Sequence, residues 1–320
     1  MLGENVAPQR RVIIDTDPGI DDTMAIFLAL ASPELAVEAL TTVFGNAGAE
    51  QCARNALTIL EVAGRADIPV AVGARTPLAR PYHGRGHMVH GQDGLGETGL
   101  SAGRQAPQAR AVDVLLAAAT ASPGEMTIIA LGPLTNLAVA ASIEPRLPEL
   151  VKEVILMGGA ATTRGNATPA AEANIHNDPE AARIVFHAGW PVTMVGLDVT
   201  HKVRMDPAYL QRLAEAKTPP TEMIRAITPF YLNFARTRAG IEGFYVHDPT
   251  AVAYAVSPSL FQTQEVYVDV ETEGRRTLGQ TVPDFRGQWG EAPNVRVCLD
   301  VDDRKALDLF ADRVSRYRPA

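Results

Sequence analysis

Cysteine is scarce in this chain. Cys52 and Cys298 lie far apart, with no Cys-x-x-Cys or Cys/His spacing, which argues against a disulfide framework, a zinc site or a redox dithiol and fits a reducing cytoplasm. Long apolar runs are missing too. None approaches the roughly 18 residues needed to cross a bilayer, and the opening MLGENVAPQRR lacks the apolar centre of a signal peptide, so the chain reads as soluble, without a membrane partner. Basic residues are outnumbered, 29 Lys and Arg against 37 Asp and Glu. The formal charge of -8 repels a phosphate backbone unless a local patch overrides it, so nucleic acid is not an expected partner. Internal repeats, low-complexity tracts and a clear linker are also absent. A chain of 320 residues buries a core without staples, and the expectation is one domain over residues 1–320.

What is present is alternation. Short Val/Ile/Thr-rich runs are interleaved with Ala/Leu-rich segments at helical period, the pattern of βαβ units. The expected strands are RVIIDTD (11 to 17), VEALTTVFG, IPVAVG, MTIIALG, EVILMGG, PVTMVGLDVT, EVYVDVET and NVRVCLDVD. Helices are expected to start near Asp21, Gly48, Val112, Pro133, Pro179, Pro207 and Pro249, several led by Asp-Pro, which suits an N-cap with proline in the first turn. The fold class is α/β, Rossmann-like, with an open, mostly parallel central sheet flanked by helices. Residues 80 to 99, RPYHGRGHMVHGQDGLGETG, form a long Gly- and His-rich loop, and such loops are lids, binding loops or disordered.

The segment VIIDTDPGIDDTMAI ends a buried strand with Asp15 and Asp17, turns through Pro18 and Gly19, and opens a helix with Asp21 and Asp22. The carboxyl ends of the strands of an open α/β sheet form its ligand crevice. Helix capping accounts for one or two acids there, not four. Packed carboxylates raise one another's pKa unless a cation neutralises them, and oxygen donors at flexible geometry suit calcium.

DTDPGIDD at 15 to 22 resembles the N-terminal signature of the inosine-uridine preferring nucleoside hydrolases. Six further blocks follow in that family's order: VFGN (43 to 46), HGQDGLG (90 to 96), ALGPLTN (130 to 136), LMGG (156 to 159), GNATPAAEANIHNDPEAA (165 to 182) and HDPTAVAY (247 to 254). The resemblance implies calcium-dependent hydrolysis of the N-glycosidic bond of ribonucleosides, with the nucleoside as small-molecule partner and the chain as a homodimer or homotetramer. It places calcium between Asp17, both oxygens of Asp22, the backbone carbonyl of Leu131 and Asp248. It makes Asp17 the base that takes a proton from water, with Asn46 holding that water or orienting Asp17, although Asn46 also suits an ordinary turn.

Cleavage builds oxocarbenium-like charge on the sugar. By the same resemblance Asp21 meets the ribose 2'-OH, Asn166, Glu172 and Asn174 reach the other hydroxyls, and Met157 packs near the ring; from the residues alone, 166 to 174 is a solvated loop. His247 donates a proton to the leaving base or contacts it, since histidine titrates near working pH, and His90 closes over the base, with His83 and His87 as weaker choices. Three histidines in one loop also admit a zinc reading. A helix from about Thr221 to Arg238 sets Tyr231, Phe234 and Arg238 on one face; such stripes are core more often than pocket, and the resemblance brings Tyr231 to the base. The rival readings are a haloacid dehalogenase-type phosphatase with Asp15 as nucleophile, a phosphorylase, and a catalytically silent nucleoside binder.

Overall fold

The computed structural model describes residues 9–84, 86–101, 107 and 109–319. Residues 1–8, where no leader is expected, lie outside the described residues. The apolar runs form strands β1 (Arg10–Thr16), β2 (Leu35–Thr42), β3 (Val70–Val72), β4 (Met126–Ala130), β5 (Val151–Met157) and β6 (Val192–Val195). They are followed by β7 (Arg204–Met205), β8 (Phe244–Tyr245), β9 (Phe261–Val270), β10 (Thr281–Asp284) and β11 (Val295–Val301). Nine of them make one sheet in the order β10-β9-β11-β6-β5-β4-β1-β2-β3, and β7 pairs with β8 alone. All neighbours from β11 to β3 run parallel, while β9 is antiparallel to both β11 and β10. The sheet is therefore mostly parallel, as the alternation requires. Every residue of β4 and β6 is buried, the signature of strands covered on both faces.

Side-chain alternation splits β1 between two cores. Val12 and Ile14 join the cluster containing Met24, Phe27 and Val252; Ile13 joins Ile128, Leu137 and Phe186 on the other face. Helices Ile20–Leu30 and His247–Val256 thus lie on one side of the sheet, and Thr135–Ile143 and Pro179–His187 on the other.

Two expectations need correction, and two further elements have no counterpart among those expected. The run PVTMVGLDVT is strand only to Val195, because Gly196 breaks it and Leu197–Thr200 is a helical turn. The helix expected at 221 to 238 is Pro219–Phe234, capped by the Thr218 side chain, and continues as a π-helical turn, Ala235–Ala239. That turn changes the residues per turn and leaves Arg238 exposed, off the Tyr231 face. β10 carries Pro283 and no alternation, which a sheet tolerates at its edge and a pattern search does not find. The closing helix Asp303–Ser315, capped by Asp302, has no counterpart among the expected helices.

Candidate active site

The acids converge at the carboxyl ends of β1 and β4. Asp17 follows β1 directly, Asp21 and Asp22 occupy the first turn of helix Ile20–Leu30, and Asp248 occupies the first turn of helix His247–Val256. All four are buried. One ligand atom from each of Asp21, Asp22 and Asp248 lies within 4.8 Å of the others, and among the described residues this is the one such group of His, Cys, Asp or Glu. The zinc reading of the histidine loop finds no support there, and His83 and His87 are exposed.

Asn46 ties the acids together. Its backbone N–H donates to Asp17 Oδ2 at 2.7 Å, and its Nδ2 donates to Asp22 Oδ2 at 2.9 Å. Asp22 Oδ2 also accepts from Gly19 N at 2.9 Å, and Asp22 Oδ1 from the Thr16 hydroxyl. Asp17 Oδ1 is buried and has no hydrogen-bond partner, a costly arrangement unless something else is meant to meet it. Burial, then mutual repulsion, raises the carboxyls: Asp17 and Asp248 well above the usual range, Asp21 to about 8, and Asp22 upward chiefly by burial. A buried all-oxygen set with raised pKa values and an orphaned oxygen fits a hard divalent cation.

Asp15 does not belong to this group. It sits on the Ile13 face of β1, where Oδ1 accepts from the Thr41 hydroxyl and from Asn136 Nδ2 at 2.7 Å. Burial pushes its carboxyl up to about 7. A folded pKa above the unfolded value means that the folded state keeps a proton the unfolded state releases. Asp15 therefore costs stability increasingly as pH rises from about 4 to about 7, and costs little below that window. Relative to wild type, Asp15→Asn is expected to gain more stability at pH 8 than at pH 4, by on the order of a few kcal/mol at most, while keeping turnover. Denaturant unfolding at both pH values checks the first part. Complete loss of turnover would instead restore Asp15 as a nucleophile.

The residues expected to meet the sugar gather around the ends of β4 and β5. Asn174 Nδ2 donates to the carbonyls of Leu131 at 2.7 Å and Met157 at 3.1 Å, so Asn174 links the two strand ends. Glu172 caps the short helix Ala173–Asn177: Oε1 accepts from Asn174 N, and Oε2 from Ile175 N and Gly159 N. Burial raises its pKa, and its proximity contributes to the raised Asp21. Asn166 is exposed at the rim, with Oδ1 accepting from Ala173 N at 3.0 Å. The segment is a loop from 166 to 171, exposed at 166, 167 and 169, and its end at Glu172 caps the helix.

On the opposite side His90 ends a short helix, Gly86–His90, inside the histidine loop. Its Nδ1 accepts from Ile20 N at 3.0 Å and lies 3.8 Å from Asp21 Oδ1. Burial holds its pKa down near 3, so the ring is neutral with its proton on Nε2. His247 Nδ1 is 2.8 Å from Thr200 Oγ1, and burial lowers its pKa to about 3 as well. This runs against the expectation that His247 titrates near working pH, since burial disfavours the imidazolium. Tyr231 is buried, stacks on Phe244 at 4.6 Å and tilts against His90 at 5.5 Å. Its hydroxyl is raised by burial and then by Asp21 and Asp248, which places it beside the acids. His201 and Tyr245 add two rings next to His247, at 5.6 and 6.3 Å. No motif or spacing in the sequence singles out these two or Thr200, and Thr16 lies within DTDPGIDD without being singled out there.

The chain matches the family model of the inosine-uridine preferring nucleoside hydrolases over residues 12–308. It is 40% identical to the inosine-uridine preferring nucleoside hydrolase of Crithidia fasciculata, covering 96% of this chain and 98% of that one. It is 42% identical to a pyrimidine-specific ribonucleoside hydrolase of Citrobacter koseri, with the same coverages. Among solved structures, a plant nucleoside hydrolase superposes with a TM-score of 0.93 at 40% identity, over 97% of this chain and 100% of that one. A purine-preferring ribonucleoside hydrolase from Gardnerella vaginalis superposes at 0.90 with 33% identity, over 95% and 98%. With its acid cluster at the strand ends and these relatives along nearly its whole length, the chain is an N-glycosyl hydrolase belonging to the inosine-uridine preferring nucleoside hydrolase family.

Proposed function

We propose that this enzyme hydrolyses ribonucleosides to ribose and free base with calcium as cofactor, and that Asp17 is the general base. The observation that carries the reading is Asp17 Oδ1, buried and unpartnered, on a carboxylate in mutual repulsion with Asp21, Asp22 and Asp248, which themselves form one compact group. Asp17, Asp22, Asp248 and the Leu131 carbonyl would hold the ion, and their oxygens are the donor type that calcium takes. Bound there, the cation would acidify water, so that hydroxide is available near neutral pH.

Asp17 accepts the proton of the attacking water, and Asn46 fixes the Asp17 carboxylate through its backbone N–H. The water oxygen bonds to the anomeric carbon as the bond from that carbon to the base nitrogen breaks. Asp21 accepts the ribose 2'-OH; Asn166, Glu172 and Asn174 meet the remaining hydroxyls, and Met157 packs at the ring. These acceptors and the surrounding negative charge stabilise the oxocarbenium-like sugar. His247 serves the departing base as a neutral hydrogen-bond donor, with His90 and Tyr231 lining the base side. The named relatives include a pyrimidine-specific and a purine-preferring enzyme, so the test panel spans both kinds of base.

The same reading keeps the chain as one domain over 1–320, a cytoplasmic homo-oligomer in purine or pyrimidine salvage. No helix among the described residues is long and apolar enough to cross a membrane. The test is release of ribose, without phosphate, from inosine, uridine, cytidine, adenosine and 2'-deoxyuridine. Cleavage of the ribonucleosides and not of the deoxy compound is expected, since the deoxy sugar leaves Asp21 unpaired. A folded, calcium-loaded protein that cleaves none of them would be a silent binder.

A further inference from the structure

We propose that Gly45 and Gly132 are positioning residues for Asp17, because the Asp17 carboxylate occupies the space that a side chain at either position would fill. The proposal rests on the reading of Asp17 as the base. Its first support is backbone conformation. Gly94, Gly96 and Gly159 have positive φ, but Gly45 and Gly132 do not, so the absence of a side chain at these two answers to space and not to a left-handed turn.

The space is taken from both sides. A Cβ at Gly45 would overlap Asp17 Oδ2 and lie 2.7 Å from Asp17 Cγ. A Cβ at Gly132 would lie 2.6 Å from Oδ1, 3.0 Å from Cγ and 2.9 Å from Val43 Cγ1. One glycine thus faces each carboxylate oxygen. Neither backbone is free to retreat. Gly45 N donates to Ala47 O at 3.0 Å, and the Gly45 carbonyl accepts from the Tyr82 hydroxyl. Before Gly132, Leu131 N donates to Asp15 O at 2.7 Å, and the Leu131 carbonyl accepts from Asn174. Added methyls must therefore move the carboxylate, which Asn46 N holds at 2.7 Å.

Gly48 supplies a control in the same loop: its φ is -68° and a Cβ there meets nothing within 4 Å. At saturating calcium, Gly45→Ala and Gly132→Ala are each expected to lower kcat at least about a hundredfold, the cost of a misplacement on the order of 1 Å. KM should change little, because Asp21, Glu172 and Asn174 are untouched, and Gly48→Ala should keep wild-type kcat. The second readout is independent of turnover. Gly45→Ala is expected to lower the melting temperature in the wild-type background and to lower it much less in the Asp17→Ala background, where Oδ2 and Cγ are gone and only the residue 17 Cβ, 3.1 Å from the added Cβ, remains. If Gly45→Ala does not fold alone, recovery of folding in Asp17→Ala is the expected signature. Equal losses in both backgrounds, or wild-type kcat in either glycine variant, overturn the proposal. A wild-type enzyme that cleaves no ribonucleoside defeats the assigned reaction, while the melting temperatures still decide whether the two glycines make room for Asp17.

Discussion

Asp17→Asn is expected to lower turnover by roughly 10²- to 10⁴-fold, the usual contribution of a positioned general base, while substrate still binds. The amide keeps an oxygen that can accept from Asn46 N, so the loop at 45 to 46 stays in place; what is lost is an acceptor for the water proton. Asp248→Asn behaves differently. It removes charge from the Asp21, Asp22 and Asp248 group, so its first effect is on cation affinity and thereby on substrate binding. Steady-state kinetics at saturating calcium, together with equilibrium binding of a non-hydrolysed ribonucleoside analogue, separate the two variants. An equal loss of binding in both would remove Asp17 from the role of base and leave it a ligand only.

Chelation is expected to abolish turnover entirely, with calcium restoring it and magnesium doing so poorly, because magnesium demands tighter octahedral geometry and gives up its waters reluctantly. The effect should also appear in stability. A ligand present at 1,000 times its dissociation constant adds about 4 kcal/mol to the folded state, so calcium should raise the melting temperature. The pH dependence has a definite sign. The carboxyls that would hold the ion are raised, so at low pH protons compete with the cation for the same oxygens. The calcium-induced rise in melting temperature should therefore be larger at pH 8 than at pH 5. A chelated enzyme with full turnover would eliminate the cofactor.

The sheet is legible in the sequence where strands are apolar and parallel, because the inner ends of β1, β4, β5 and β6 are buried on both faces and read as continuous runs. The antiparallel edge is poorly legible: β10 has a proline and four residues, and its pairing with β9 is decided by tertiary contact. In the site, Asp17, Asp21, Asp22 and Asp248 stand out because so many acids at strand ends and helix starts exceed what capping requires. Asp15 reads as one of them, since a string of letters does not show that Asp15 stays within the strand, bonded to Thr41 and Asn136, while the chain leaves the strand after Thr16 and carries Asp17 to the other acids. His247 is legible as a position but not as a chemistry, because its protonation is set by burial that only the packed structure reveals. His201 and Tyr245 come from separate elements and meet only in space.

The bond from Ile20 N to His90 Nδ1 has a mechanical consequence. Ile20 begins the helix that carries Asp21 and Asp22, and His90 is the last residue of the short helix within the histidine loop. Withdrawing His90 from the site leaves a buried N–H without an acceptor, a penalty of about 1–3 kcal/mol, which on its own holds the withdrawn state to a minor population. The start of the acid-bearing helix and the end of the short histidine-loop helix are thus fastened to each other by that single hydrogen bond.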